Sequence, residues 1–384
     1  MLSVVCLDQQ EASRRMNSRE RTLCALNHQE PDRVPIDLWM SAGLERKLGL
    51  TSKAGLKAFR DAHDVDLRYI EGPKYVGPPL AKYSDGSEED IWGVLRTPVT
   101  VRTGGGAETY REVARSPLAA ATMVDEIQSY GHWPSPDWFE YGMIEAQCDA
   151  IRAEGRAVVF MGDRLNRVAQ LKPAMYLRGV EQILLDMSLD GEMAKAILGQ
   201  IRKFYCAYAE RILEAARGKI DILLMGDDFG TQKGPLLSPA MWVEFLGQGF
   251  ADYVEIAKGY GLWVMHHTCG SVRPIIPLLV ERGLDVLQSL QPEAADMDPY
   301  ELERIYGEQL SFHGGISIQR TLPFGTSAEI CQEVMDRVMA LATGGGYILC
   351  TSHNIQADTP IENVITLLDA YHRYGVYSHQ LPSQ

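Results

Sequence analysis

Along this chain, short apolar runs alternate with longer stretches in which apolar positions recur at three- and four-residue spacing. The runs Arg33–Leu38, Asp66–Ile70, Ala157–Met161, Ile220–Met225, Leu262–His267, Val286–Leu290, Leu310–Gly314 and Tyr347–Cys350 read as strands. Residues 19–28, 53–63, 139–154, 190–217, 239–259, 273–282, 326–343 and 361–373 read as amphipathic helices. Strands separated by helices signal a parallel sheet, because a parallel crossover needs a connection that a helix supplies. About eight such units predict an α/β fold closed as a (β/α)8 TIM barrel. Residues 75–137 break the alternation with Gly104-Gly105-Gly106, several prolines and polar strand-like pieces such as Val99–Thr103, which predicts an insertion of short strands. No repeat, low-complexity tract or linker divides the chain, so residues 16–384 read as a single barrel domain. Residues 1–15 lack the apolar core of a secretory signal and read as a disordered extension, with Met16 the more natural beginning.

Composition narrows the class. In 384 residues, 46% hydrophobic and 23% charged is ordinary for a globular protein with a large core. No apolar run is long enough to span a bilayer, so no membrane segment is expected. The balance of 37 basic and 51 acidic residues, a net −14, opposes nucleic acid or an anionic membrane as the main partner. Seven widely scattered cysteines, an odd number without framework spacing, predict reduced thiols and a cytoplasmic location.

A barrel carries its chemistry on the loops after the C-terminal ends of its strands. Those loops here are Gly162-Asp163-Arg164-Leu165-Asn166, the run from Gly226 through Asp227 and Asp228 to Gln232, His266-His267-Thr268-Cys269-Gly270, and the run from Cys350 through His353 to Gln356. Side chains alternate along a strand, so His267 and Cys269 share one face, with His266 and Thr268 on the other. An imidazole and a thiolate side by side form half of a zinc site. Taken singly, Cys269 reads equally as a small buried hydrophobe, and Asp227 or Asp228 beside glycine as turn chemistry. Arg164 and Gln232 are candidates to hold polar groups of a substrate, against the plainer reading of a rim arginine and a helix-entry glutamine.

The segment from Met16-Asn17-Ser18-Arg19 through Ala25-Leu26-Asn27-His28-Gln29-Glu30-Pro31-Asp32-Arg33-Val34-Pro35 resembles the opening of proteins of the uroporphyrinogen decarboxylase superfamily. Phe312-His313-Gly314-Gly315-Ile316, Gly344-Gly345-Gly346-Tyr347-Ile348-Leu349 and Asp358-Thr359-Pro360-Ile361-Glu362-Asn363 resemble later family segments, so the matches run from about residue 16 to 375. The resemblance implies a (β/α)8 barrel and covers two chemistries. Its decarboxylase branch carries an N-terminal arginine-rich segment that clamps the many carboxylates of a porphyrinogen. The matching stretch here, from Val34 to Gly43, has no arginine before Arg46, which argues against that substrate.

The other branch contains zinc methyltransferases similar to methylcobalamin:coenzyme M methyltransferase, whose signature is His-x-Cys followed much later by a cysteine before Thr-Pro. His267 and Cys269 match the first part. Counting back from Thr359-Pro360, the distal position holds His353, with Cys350 three residues earlier. The resemblance thus implies a zinc set of His267, Cys269 and His353, with Cys350 as the alternative third ligand. Asp227 and Asp228 are candidates for a fourth ligand, a partner orienting His267, or a base. The implied activity is a zinc-dependent methyltransferase moving a methyl group between a small methylated substrate or thiol and a corrinoid. The corrinoid belongs on a separate protein, since the chain has no Asp-x-His-x-x-Gly cobalamin pattern. The alternatives are a metal-independent decarboxylase or lyase for a small carboxylic acid, with Asp228 and His353 as acid and base, and a non-catalytic corrinoid-binding protein. A homodimer stays open.

Overall fold

Seven parallel strands, Leu67–Tyr69, Ala157–Phe160, Ile222–Gly226, Trp263–His267, Val286–Leu290, Ser311–Ile316 and Tyr347–Thr351, form one curled sheet in chain order, surrounded by helices. This computed structural model describes residues 15–103, 106–161, 167–189 and 191–377. The fold is of the TIM-barrel type, as the alternation of runs predicts. The eighth predicted strand, Arg33–Leu38, is the exception. It lies between the first and last strands, where Asp37 N–H donates to Leu349 O (2.8 Å), Leu349 N–H to Pro35 O (2.8 Å) and Asp66 N–H to Ile36 O (2.8 Å). Pro35 has no N–H to continue a ladder, so the segment makes only an isolated bridge between Ile36 and Leu349 while filling the gap between the outer strands.

Alternation along each strand sorts the core into two layers. Leu67, Val159, Ile222, Leu224, Met265, Val286 and Ile348 pack together inside the curled sheet. Val158, Phe160, Leu223, Met225, Val264, Leu287 and Leu349 face the helices. Because both faces are covered, the strands read as continuous apolar runs. The 25-residue helix Glu192–Ala216 lies within the predicted 190–217, and Lys53–Ala62, Ser327–Leu341 and Ile361–Tyr374 stand where expected. Helices Leu171–Arg178, Val180–Leu189 and Pro299–Tyr306 have no counterpart among the predicted elements. Within the stretch predicted as one helix over 139–154, Phe139–Glu140 pairs instead with Lys74–Tyr75, and the helix begins at Ile144.

The irregular 75–137 region contains an antiparallel sheet of Glu88–Glu89, Leu95–Thr103 and Gly106–Arg115. Buried Glu108 pins this sheet to the barrel rim: it accepts from Gly43 N–H (3.0 Å) and Ala357 N–H (3.1 Å) and pairs with Ser41 Oγ. Among the described residues no helix is long and apolar enough to cross a membrane.

Candidate metal centre and cavity

The strand Trp263–His267 ends with His266 and His267 on opposite faces. His266 points outward, stacked on Phe229 at 4.9 Å between ring centres and held near pKa 3 by burial and the neighbouring His267. His267 points inward with Met265. Its partners across the sheet are Gly226 on one side and Gln288 on the other. Gln288 Oε1 lies 2.6 Å from His267 Nδ1 and can only accept, so Nδ1 carries the proton and Nε2 presents its lone pair. Cys269 Sγ stands 3.5 Å from that Nε2. His353, two residues beyond the strand Tyr347–Thr351, brings its ring to 5.7 Å from that of His267.

One ligand atom from each of His267, Cys269 and His353 therefore falls within 4.8 Å of the others. A tetrahedral zinc with bonds of about 2.0–2.1 Å to nitrogen and about 2.3 Å to sulfur sets those two atoms roughly 3.6 Å apart, close to the observed separation of Nε2 and Sγ. The donors also suit a cation electrostatically. Burial is the main cause that pushes His353 down to about 4 and lowers His267, directions that favour the neutral imidazole a metal ligand requires. Burial, then the charge of Asp228, pushes the Cys269 thiol up to about 12. A thiolate there needs a compensating positive charge, which a metal supplies.

Asp227 and Asp228 are adjacent in sequence and differ in role. Asp227 is buried, and its carboxylate accepts from Gln170 N–H (2.6 Å), Leu171 N–H (2.9 Å) and Lys172 N–H (2.7 Å). It caps the start of helix Leu171–Arg178 and does not reach the cluster; burial outweighs the three N–H groups and raises it to about 6. The helix it caps presents Lys172, whose Nζ pairs with Asp228 Oδ2. Asp228 Oδ1 lies 3.4 Å from His267 Nε2 and accepts from Cys269 N–H at 3.2 Å. Burial would raise the Asp228 carboxyl, but His267 and Lys172 outweigh it and hold it far below the usual carboxylate range.

Gly270 lets the two loops meet. Its φ of 80° is left-handed, and a Cβ there would lie 2.6 Å from Thr231 O. Ser271 N–H then donates to Thr231 O at 2.8 Å, tying the loop after Asp228 to the loop after Cys269.

The cluster borders a cavity of about 680 Å³ at the strands' C-terminal ends, lined among others by Trp39, Tyr69, Arg167, Lys172, His267 and His353. Trp39 stacks over His267 at 5.9 Å. Tyr110, from the inserted sheet, reaches this cavity and donates to Gln356 Oε1 at 2.7 Å. Cys350 lies elsewhere, inside the barrel with Asp37 and His313, whose Nε2 and Oδ2 are 2.9 Å apart. Gln232 is exposed and outside the cavity lining, its carbonyl accepting from Ala295 N–H. Arg164 lies outside the described residues, as does the extension up to residue 14. Lys172, Gln288 and Arg167 were not among the sequence candidates. Gln288 and Lys172 sit in or beside apolar runs with no motif, and only pairing across the sheet and capping by Asp227 bring them to the cluster.

A model of the uroporphyrinogen decarboxylase (URO-D) family matches residues 168–374. No curated protein matches the sequence. Among solved structures, a methyltransferase from Methanosarcina mazei aligns with a TM-score of 0.62 at 17% identity, covering 94% of this chain and 99% of its own, and so shares the fold. The E. coli 3-keto-D-glucoside 4-epimerase aligns at a TM-score of only 0.40 and 12% identity over 60% of this chain and 84% of its own.

Proposed function

This chain belongs to the uroporphyrinogen decarboxylase family, and from that premise we propose that it is a zinc-dependent methyltransferase, passing a methyl group between a small methylated compound or thiol and a corrinoid on a separate protein. The observation that carries this reading is the meeting of His267, Cys269 and His353 ligand atoms within 4.8 Å beside the cavity. The shared fold of the Methanosarcina mazei methyltransferase supports it.

Zinc held by these three residues would supply a Lewis acid, lowering the proton affinity of a thiol or polarising an ether oxygen. The chain's own residues prepare the site for it. Gln288 fixes the His267 tautomer, so the imidazole offers Nε2 without rearrangement. Lys172 keeps Asp228 ionised and beside His267, where the carboxylate's charge favours a cation. Held by Lys172 and by the Cys269 N–H, Asp228 is placed to position the cluster rather than to take up a proton. Trp39 covers one face of His267 and keeps water from it.

Elemental analysis of untagged protein should find one zinc per chain. Methylcobalamin absorbance, followed with a panel of thiols and methoxylated or methylamino compounds, with and without corrinoid proteins, should reveal transfer. His267→Ala and Cys269→Ala should lose both zinc and transfer with the circular dichroism spectrum unchanged, and Asp228→Asn should lose about 10–100-fold in activity or metal affinity. Zinc-loaded protein that neither consumes nor forms methylcobalamin with any of these would overturn the reading in favour of the lyase alternative.

A further inference from the structure

Arg167 enters the cavity from the loop following the strand Ala157–Phe160. Arg167 is half-buried, its Nε closed off from solvent and its side chain lining the cavity, and burial lowers its pKa, the charge of Asp228 opposing. Among the described residues Nη2 reaches only a thioether, Met161 Sδ at 3.4 Å, and Nε is buried without a hydrogen-bond partner. Among the described residues no carboxylate stands within ion-pair distance of it. Asp228, whose charge reaches Arg167, is already held by Lys172 and His267. A buried guanidinium with idle donors is costly unless something anionic completes it. Among the described residues that border the cluster, two cations, Arg167 and Lys172, face one carboxylate, Asp228, the buried Asp37 being turned onto Trp39, Tyr69 and His313, so that side of the cavity carries one positive charge in excess before any metal is counted. Arg60 and Glu112, which also line the cavity, bring one charge of each sign and leave that excess unchanged.

We propose that Arg167 is the anchor for the carboxylate of a substrate whose flat, apolar body lies among the cavity's aromatic rings. The guanidinium fork matches a carboxylate with two parallel N–H···O bonds, which a lysine at the same place could not offer. Trp39, Tyr69, Tyr176 and Tyr205 line the same cavity and suit a planar body. Gly226 sets the anchor beside the metal ligands: a Cβ there would come within 2.8 Å of His267 Cβ and 3.2 Å of Arg167 Cδ, so the two side chains flank one bare backbone position. A molecule held by Arg167 therefore sits next to the His267 imidazole. The role given to that molecule, methyl donor or acceptor, rests on the methyl-transfer reading, whereas its binding does not.

Calorimetric titration of the full-length protein with benzoate and with benzyl alcohol, neither of which carries a transferable methyl group, separates the two. The wild type should bind benzoate about ten- to hundredfold more tightly than the alcohol. Arg167→Gln should lose that factor for benzoate and leave the alcohol unchanged, with Arg167→Lys in between. Equal affinity of the wild type for both ligands, or binding of neither, would overturn the proposal even if the variants failed to fold. So would benzoate binding that is abolished by chelator and untouched by Arg167→Gln, which would put the carboxylate on the metal. Benzoate discrimination in a protein without methylcobalamin activity would keep the anchor and remove the methyl-transfer reading; the converse would do the opposite.

Discussion

Cys269 and Cys350 both stand near the ends of barrel strands, yet their surroundings assign them different work. Cys269 Sγ is 3.5 Å from the free nitrogen of His267, whereas Cys350 is packed inside the sheet beside Asp37, which also receives Tyr69 and Trp39. Cys350→Ser should keep most of the metal, and His353→Ala should lose it or hold it weakly; zinc content of the two purified variants decides, and the reverse pattern would exchange the ligand assignment. Away from the site, Glu303 is a residue whose protonation bears on stability. Burial pushes its carboxyl up from 4.5 to about 7. Below the unfolded value both states are protonated and nothing is lost. Between the two values only the unfolded state ionises freely, so stability falls as pH rises, and above about 7 the loss is constant. Glu303→Gln should therefore raise stability by about 1–3 kcal/mol at pH 8 and leave it unchanged at pH 4, as denaturant titrations at the two pH values would reveal.

Among elements, the segment Arg33–Leu38 shows how a barrel position is held without a regular strand. Asp66, wholly buried, accepts from Arg21 Nη1 (2.6 Å), Arg33 Nη1 (2.7 Å) and Ile36 N–H (2.7 Å), joining the first helix, the irregular segment and the first strand. Asp66→Asn leaves the 2%-exposed Arg21 with a weakened partner. Breaking a buried pair on one side costs up to about 3–5 kcal/mol, and because Arg21 keeps Asp32 and Arg33 keeps Asp64 the expected drop in melting temperature corresponds to the lower part of that range. Asp66 precedes its strand and His267 ends one, so the two lie at opposite ends of the barrel and zinc content in the folded variant should not change. The inserted sheet belongs to the other end: through Glu108 and Tyr110 it closes over the cavity, an outcome of contacts with Ser41, Gly43, Gln356 and Ala357 that are distant in the chain.

For the whole molecule, charge and cavity together limit the substrate. A net −14 repels polyanions at long range, and the deep cavity offers one excess positive charge rather than a clamp. The stretch from Val34 to Gly43 brings Leu38, Trp39 and Met40 to the cavity wall where the decarboxylase resemblance would require arginines. Losing two or three charge-assisted contacts of about 1.5–3 kcal/mol each costs several powers of ten in rate. A direct assay with uroporphyrinogen should yield no coproporphyrinogen.

What the sequence by itself determined is what local pattern encodes. Apolar runs buried on both faces and the helices between them specify a parallel sheet, and a period of two puts His267 and His266 on opposite faces whatever surrounds them, while the closing of the sheet decides which of the two points inward. The family resemblance pointed to His353 through the Thr359-Pro360 count, and the structure brings its ring to 5.7 Å from that of His267. Only the tertiary structure decided the rest. Asp227 and Asp228 are indistinguishable as neighbours, and their roles separate because one meets a helix N-terminus and the other meets Lys172 and His267. Gln288 becomes the partner of His267 through strand register, and Arg167 reaches the cavity through the space that Gly226 leaves open, relations between residues up to 59 positions apart that no periodicity carries. Burial supplies the final term, since the same thiol and imidazoles in water would ionise near their ordinary values, and removal from solvent is what makes a cation the natural completion of the cluster.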